Sequence, residues 1–157
     1  MSKFLLFILL LVTQYTLAQQ ATVVKFDRLQ TLIESKSDQI QVINFWATWC
    51  APCVKELPFF EMINAQNDPL VKVTLINLDF VDKLATVNAF INRKSMKSEV
   101  LLLDEIDYDS WIDKVDKSWG GAIPATLFIN HKTGQRKFVD RELKEGDLER
   151  VILELKK

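Results

Sequence analysis

Two cysteines, one histidine and no excess of either charge set the first limits on this 157-residue chain. A zinc site takes about four ligands, usually two cysteine pairs or one pair with histidines. Cys50, Cys53 and His131 fall short of that set, and no metal or other cofactor is expected. The formal net charge is -1. There is no basic excess to draw nucleic acid and no polybasic patch to draw anionic lipid. The chain also lacks internal repeats, proline- or serine-rich linkers and low-complexity stretches, so one compact domain is the expected organisation, with a monomer as the default state. Long apolar runs are missing too. The run Phe4–Val12 has nine residues, too few to cross roughly 30 Å of hydrocarbon as a helix.

That run belongs to a different layout. Met1-Ser2-Lys3 makes a short positive start, the apolar run follows, and Thr16-Leu17-Ala18 puts small residues where a signal peptidase reads. Residues 1–18 are therefore expected to be a cleaved secretory signal, and residues 19–157 the folded domain. The mature protein would be soluble and periplasmic or otherwise exported. No cysteine lies near the cleavage point to take a lipid.

Within residues 19–157 strand-like and helix-like patterns alternate. Val23–Phe26 is a short extended segment, and Asp27 opens a helix to about Ser35 with Leu29, Leu32 and Ile33 on one face. "IQVINFW", 40–46, is rich in β-branched and aromatic residues and reads as a buried strand. A helix from about Cys53 to Gln66 follows, interrupted near Pro58, which has no N–H to donate. A strand is expected from Val71 to Phe80, a helix from Asp82 to about Lys94, a strand at 99–104, a helix from Asp109 to about Ser118, strands at 125–130 and 136–140 joined as a hairpin, and a last helix from Asp147. Trp111 and Val115 face inward in this reading, as do Leu148, Val151, Ile152 and Leu155. The pattern predicts an α/β fold with a mixed sheet flanked by helices. In such sheets ligands sit at the C-terminal strand ends, which is where Cys50 falls.

The cysteines stand two residues apart in "WATWCAPCVKELP", 46–58. A disulfide closing so small a loop gains little from chain entropy, so a purely structural pair is the weaker reading and redox chemistry the stronger. A cysteine at a helix N-terminus in a C-x-x-C has its pKa lowered from about 8.5 to roughly 3.5–7.5, because unpaired N–H groups and the positive end of the dipole favour the thiolate. Pro52 is suited to the first turn, where its missing N–H costs nothing. Cys50 is accordingly the attacking thiol, and Cys53, one turn deeper and shielded, the resolving one. Trp46 and Trp49 are expected to flank the site with apolar surface. His131 reads as a solvated turn residue.

"VINFWATWCAPC" resembles the active-site segment of the thioredoxin superfamily, and "ATWCAPCVKELP" resembles in particular its exported TlpA/ResA-like thiol-disulfide oxidoreductases. A second motif, "WGGAIPATLFI", 119–129, lies far away in sequence. The resemblance covers nearly all of residues 26–157. It implies a thioredoxin-like fold, with residues 82–118 supplying a helix and strand inserted before the cis-proline strand. It implies that Pro124 is a cis-proline facing the C-x-x-C, and that the backbone of Ile123 pairs with an extended substrate segment by strand addition. Trp49, Ala51 and Pro52 complete the substrate-binding set.

One departure bears on mechanism. Thioredoxins carry a buried aspartate six residues before the first cysteine, where this chain has Asn44, which cannot ionise. TlpA/ResA-like proteins place a glutamate three residues after the second cysteine, here Glu56. The resemblance implies that Glu56 accepts the proton of Cys53, whereas spacing alone leaves it equally readable as a surface residue near a helix start. Ala51-Pro52 and Ile123 resemble reductases more than oxidases. The implied function is reduction of disulfides in exported client proteins, apocytochrome c among the candidates, with a membrane electron donor restoring the dithiol. Two alternatives stand beside it. One is a peroxidase on the same fold, weakened by Ala47 at the position three before Cys50. The other is a client-binding module with an incidental redox pair.

Overall fold

The computed structural model describes residues 19–157; the segment read as a secretory signal, 1–18, lies outside the described residues. Along the chain run β1 (Thr22–Val24), α1 (Phe26–Glu34), β2 (Ile40–Trp46), α2 (Ala51–Ala65), β3 (Val71–Asn77), α3 (Leu84–Arg93), β4 (Glu99–Leu103), α4 (Ile112–Val115), β5 (Ala125–Asn130), β6 (Gln135–Val139) and α5 (Asp147–Leu155). Short 3-10 turns at Val81–Lys83 and Tyr108–Ser110 lead into α3 and α4. The strands form one sheet in the order β1-β4-β3-β2-β5-β6. The first four are parallel to one another, while β5 pairs antiparallel with both β2 and β6. The mixed α/β sheet read from the alternation is the one observed.

β2 sits centrally, and all seven of its residues are buried. A strand covered on both faces must be apolar on both, which is why "IQVINFW" does not alternate. Its side chains still divide by parity. Val42 and Trp46 join Phe60 of α2, Phe90 of α3 and Leu148 of α5 in one core. Ile43 and Phe45 join Leu29 of α1 with Trp111, Val115 and Trp119 in the other. Asn44 has the parity of Val42 and Trp46, so it enters the α2 side. Among the described residues no helix is long and apolar enough to cross a membrane.

The structure corrects several sequence expectations. Trp46 is fully buried and offers no surface to the site. Helix α1 begins after Lys25, and Asp27 lies in its first turn, favoured by the dipole without acting as the cap. Helix α2 begins at Ala51 and runs unbroken through Pro58. Pro58 is exposed, and the helix continues past it with one backbone hydrogen bond fewer. Strand β3 stops at Asn77, where the side-chain oxygen of Asn77 accepts the Asp79 N–H (3.1 Å) and turns the chain out of the sheet. Asp82 falls in a 3-10 turn, and α3 starts two residues later. The helix expected over 109–118 shrinks to a single α turn. Its end is set by Asp116, whose carboxylate accepts the N–H and O–H of Ser118 (3.0 and 2.6 Å) and so competes with helix continuation. Trp111 and Val115 face inward as read.

Candidate functional site

The chain leaves β2 at Trp46 and reaches α2 through Ala47-Thr48-Trp49-Cys50. This link is pinned from the next strand over. Asp79, itself buried, accepts the Thr48 N–H (2.8 Å) and the Thr48 O–H (2.7 Å) as well as the Asn77 side-chain amide (2.8 Å). The Leu78 N–H bonds the Trp46 carbonyl (2.8 Å), and the Cys50 N–H bonds that of Ala47 (3.2 Å). The loops after β2 and β3 are therefore held as one unit. Asp79 and Thr48 had not been singled out from sequence; a polar pair closing an apolar strand, Asn77 and Asp79, is the only trace they leave there.

Cys50 is the N-cap of α2, and its Sγ accepts the Cys53 backbone N–H at 3.3 Å. Ala51 and Pro52 form the exposed first turn, with Pro52 at N2 where no N–H is required. Cys50 retains 6% exposure and Cys53 none, so an approaching group meets Cys50 first. The two are joined as a disulfide. The Ile123–Pro124 peptide bond is cis, and the Ile123 carbonyl oxygen lies 3.8 Å from Cys50 Sγ. In the reduced pair that separation suits a weak S–H···O contact. The loop before Ile123 is fixed by Trp119, whose indole N–H donates to the Ala122 carbonyl (2.8 Å). Gly121 sits at φ +82°, a left-handed conformation that favours glycine, and a Cβ there would also displace the Ile112 methyl group 2.9 Å away.

Glu56 lies one turn beyond Cys53 on the buried face of α2 and is wholly inaccessible, which excludes the surface reading. Residues three apart on a helix are neighbours. One carboxylate oxygen accepts the Asn44 side-chain N–H (2.8 Å), the other the Leu143 backbone N–H (2.6 Å). Burial pushes its pKa up to about 7, against the opposing pull of those two hydrogen bonds. A carboxyl balanced there exchanges a proton readily near neutral pH. Leu143, in the connection between β6 and α5, is a contributor that sequence reasoning did not find, since its role is carried by a backbone N–H that no side chain announces.

On the open side of the disulfide Trp49 is 70% exposed. With Leu78, Tyr108, Ile112, Gly121 and Ile123 it lines a groove of about 330 Å³. The structure thus brings Trp49, Cys50, Ala51, Pro52, Cys53, Ile123 and Pro124 to one end of the sheet, with Glu56 beneath the cysteines. His131 stands apart in the β5–β6 turn, at the other end of β5 from Pro124.

The thioredoxin family model matches residues 20–96. The thiol-disulfide oxidoreductase ResA of Bacillus thuringiensis is 32% identical over 120 residues, covering 73% of this chain and 61% of that protein. The chain thus spans about three fifths of the length of that ResA. A thioredoxin of Rickettsia bellii is 30% identical over 87 residues, half of this chain and 83% of that one. Among solved structures, StoA from Bacillus subtilis superposes with a TM-score of 0.57 at 25% identity, covering 80% of this chain and 87% of that one. Its helix-capping C-x-x-C, its thioredoxin-like sheet and its match to most of the length of a thioredoxin place the chain in the thioredoxin family.

Proposed function

We propose that this protein is a ResA-like thiol-disulfide oxidoreductase that reduces disulfides in exported client proteins. The single observation that carries the reading is the position of Cys50 at the cap of α2, with its sulfur receiving the Cys53 N–H at 3.3 Å. A thiolate there gains a hydrogen bond and the positive end of the helix dipole. The Cys50 thiolate attacks a client disulfide, forming a mixed disulfide and expelling one client thiolate. Cys53 then gives its proton to Glu56 and attacks Cys50 Sγ. The Cys50–Cys53 disulfide closes, the second client sulfur leaves as thiolate, and the client has gained two electrons. A dithiol donor at the membrane must return those electrons, and Glu56 yields its proton to solvent.

Client binding follows the open side of the site. The backbone at Ile123, beside cis-Pro124, takes an extended client segment by strand pairing, and Trp49 with the groove beyond it covers the client's apolar side chains. The loop after β4 borders that groove and carries Glu105, Asp107 and Asp109, none of which enters an ion pair among the described residues. A client segment that mixes apolar and basic residues fits this surface best. Residues 1–18 have the layout of a secretory signal and support action outside the cytoplasm.

The test is capture. Cys53→Ala should hold clients as mixed disulfides on Cys50, and those clients should be exported proteins. Failure to trap any disulfide partner, insulin included, would overturn the function. Equilibration with glutathione tests the direction: a potential near about -120 mV, that of strong oxidants, would make the protein an oxidase.

A further inference from the structure

We propose that Asn44 is a positioning residue for the release step, holding Glu56 ready to accept the Cys53 proton and tying it to the strand that follows Pro124. The inference rests on the exchange mechanism above and adds to it a residue that touches neither client nor sulfur in that mechanism.

Asn44 is wholly buried in β2 and pairs with Thr126 in the β2–β5 ladder. Its Nδ2 has two protons and three acceptors in reach: Glu56 Oε1 at 2.8 Å, Thr126 Oγ1 at 3.0 Å and the Ala125 carbonyl at 3.3 Å. Its own Oδ1 has no partner among the described residues. The opposite orientation of the amide would press that oxygen against a carboxylate and a carbonyl. The surroundings therefore select the donor orientation, even at the cost of an unpaired oxygen on the other side. A buried polar atom left without a partner is costly, so the donor face is retained against a penalty.

Glu56 is the group that benefits. Both of its oxygens already face N–H donors, Asn44 on one and Leu143 on the other. That is complementary to a carboxylate and poorly suited to a carboxylic acid, which must itself donate. The charged neighbours are Glu142, which pushes its pKa up, and Arg141, which pulls it down. Cys53 stands one turn away on the same helix. Burial outweighs the hydrogen bonds and Arg141 and brings Glu56 to about 7; with fewer donors it would be ionised for less of the time at neutral pH and would take the Cys53 proton less readily. An aspartate in place of Asn44 would be worse, because two buried carboxylates within hydrogen-bonding distance cannot both ionise. With a buried glutamate on α2, β2 here supplies a donor and not a second carboxylate.

The experiment follows the Glu56 carboxyl by carbon-13 NMR from pH 5 to 9 in the reduced full-length protein, alongside release of insulin from its mixed disulfide. Asn44→Leu removes the donor and should raise the Glu56 midpoint by about one pH unit, since a hydrogen bond to the charged form is lost. At pH 7 that leaves about fivefold less ionised Glu56 and release about fivefold slower, with the deficit closing by pH 9. Asn44→Asp, of equal size, should shift the midpoint further in the same direction, and it carries the test if the leucine variant does not fold. In a Glu56→Gln background Asn44→Leu should slow release no further. An unmoved Glu56 midpoint, or an equal loss in the Glu56→Gln background, would show that Asn44 merely supports the fold. If Cys53→Ala captures insulin while the Glu56 midpoint stays put, only the role of Asn44 falls; if it captures nothing, the exchange mechanism itself falls.

Discussion

The two flanks of the Cys50–Cys53 disulfide are built from opposite materials. On the α2 flank Asn44, Cys53 and Glu56 have no exposure at all, and each carboxylate oxygen of Glu56 is assigned to a named N–H. On the other flank Trp49 is 70% exposed, Ile106 72% and Tyr108 40%, and the loop between β4 and α4 contains only short turns. Proton transfer is served by the first kind of environment, because burial is the largest of the causes that move this carboxyl toward neutral pH. Recognition of an unfolded segment needs the second, because apolar surface stabilises a complex only if it is exposed beforehand. The disulfide lies on the boundary, with one sulfur slightly open and the other closed.

The largest effect should come from breaking the boundary itself. Cys50→Ser removes the attacking sulfur and should reduce insulin reduction to the background of the buffer thiol, while leaving client docking on the groove measurable. Next comes the buried flank. Glu56→Gln should slow release of the mixed disulfide by roughly 10²-fold or more, the usual contribution of a general base, and should abolish the rise of that rate through about pH 7.

The same substitution has a stability signature. The folded pKa of Glu56, about 7, exceeds the unfolded value near 4.3. Between those values the folded state binds the extra proton, so its contribution is fully present below about pH 4.3 and is lost as pH rises through about 7. Denaturant titrations should show the wild type losing about 3–4 kcal/mol relative to Glu56→Gln across that window.

Smaller effects belong to the exposed flank. Trp49→Ala should lower kcat/KM for protein clients by about tenfold, the order expected for lost aromatic burial, and leave reduction of a small-molecule disulfide nearly unchanged. An equal loss with both substrates would mean that Trp49 tunes the sulfur and not the client. Smallest is the charge of the loop after β4. Asp107→Asn with Asp109→Asn should slow reaction with a basic client by a few-fold at most, as for exposed ion pairs, and the difference should vanish at high salt.

The buried flank was the less legible of the two, although the proposed proton transfer rests on it. Glu56 could be picked out by the resemblance to TlpA/ResA-like proteins, yet whether it was buried or exposed turned on α5 and on Leu143, 87 residues away. Asn44 was visible as a residue that cannot ionise, but its bond to Glu56 joins a strand to a helix across the core. Strand boundaries and apolar faces were read well where local patterning governs them: β2 spans Ile40–Trp46 as expected, and Leu148, Val151, Ile152 and Leu155 are buried together. Errors fell where one side chain redirected the chain, at Asn77 and at Asp116.

By itself the sequence determined the alternation of strands and helices and the cysteine pair at a helix start, because these depend on periodicity and spacing along the chain; the proline motif that meets the pair was legible only through its resemblance to the thioredoxin superfamily. Tertiary structure alone decided that Trp46 turns inward while Trp49 stays out, that Asp79 clamps the loop before Cys50, and that Asn44 and Leu143 hold both oxygens of Glu56. Those outcomes depend on which distant groups share a water-free space, and desolvation there, more than residue identity, sets where a carboxyl gains or gives up its proton.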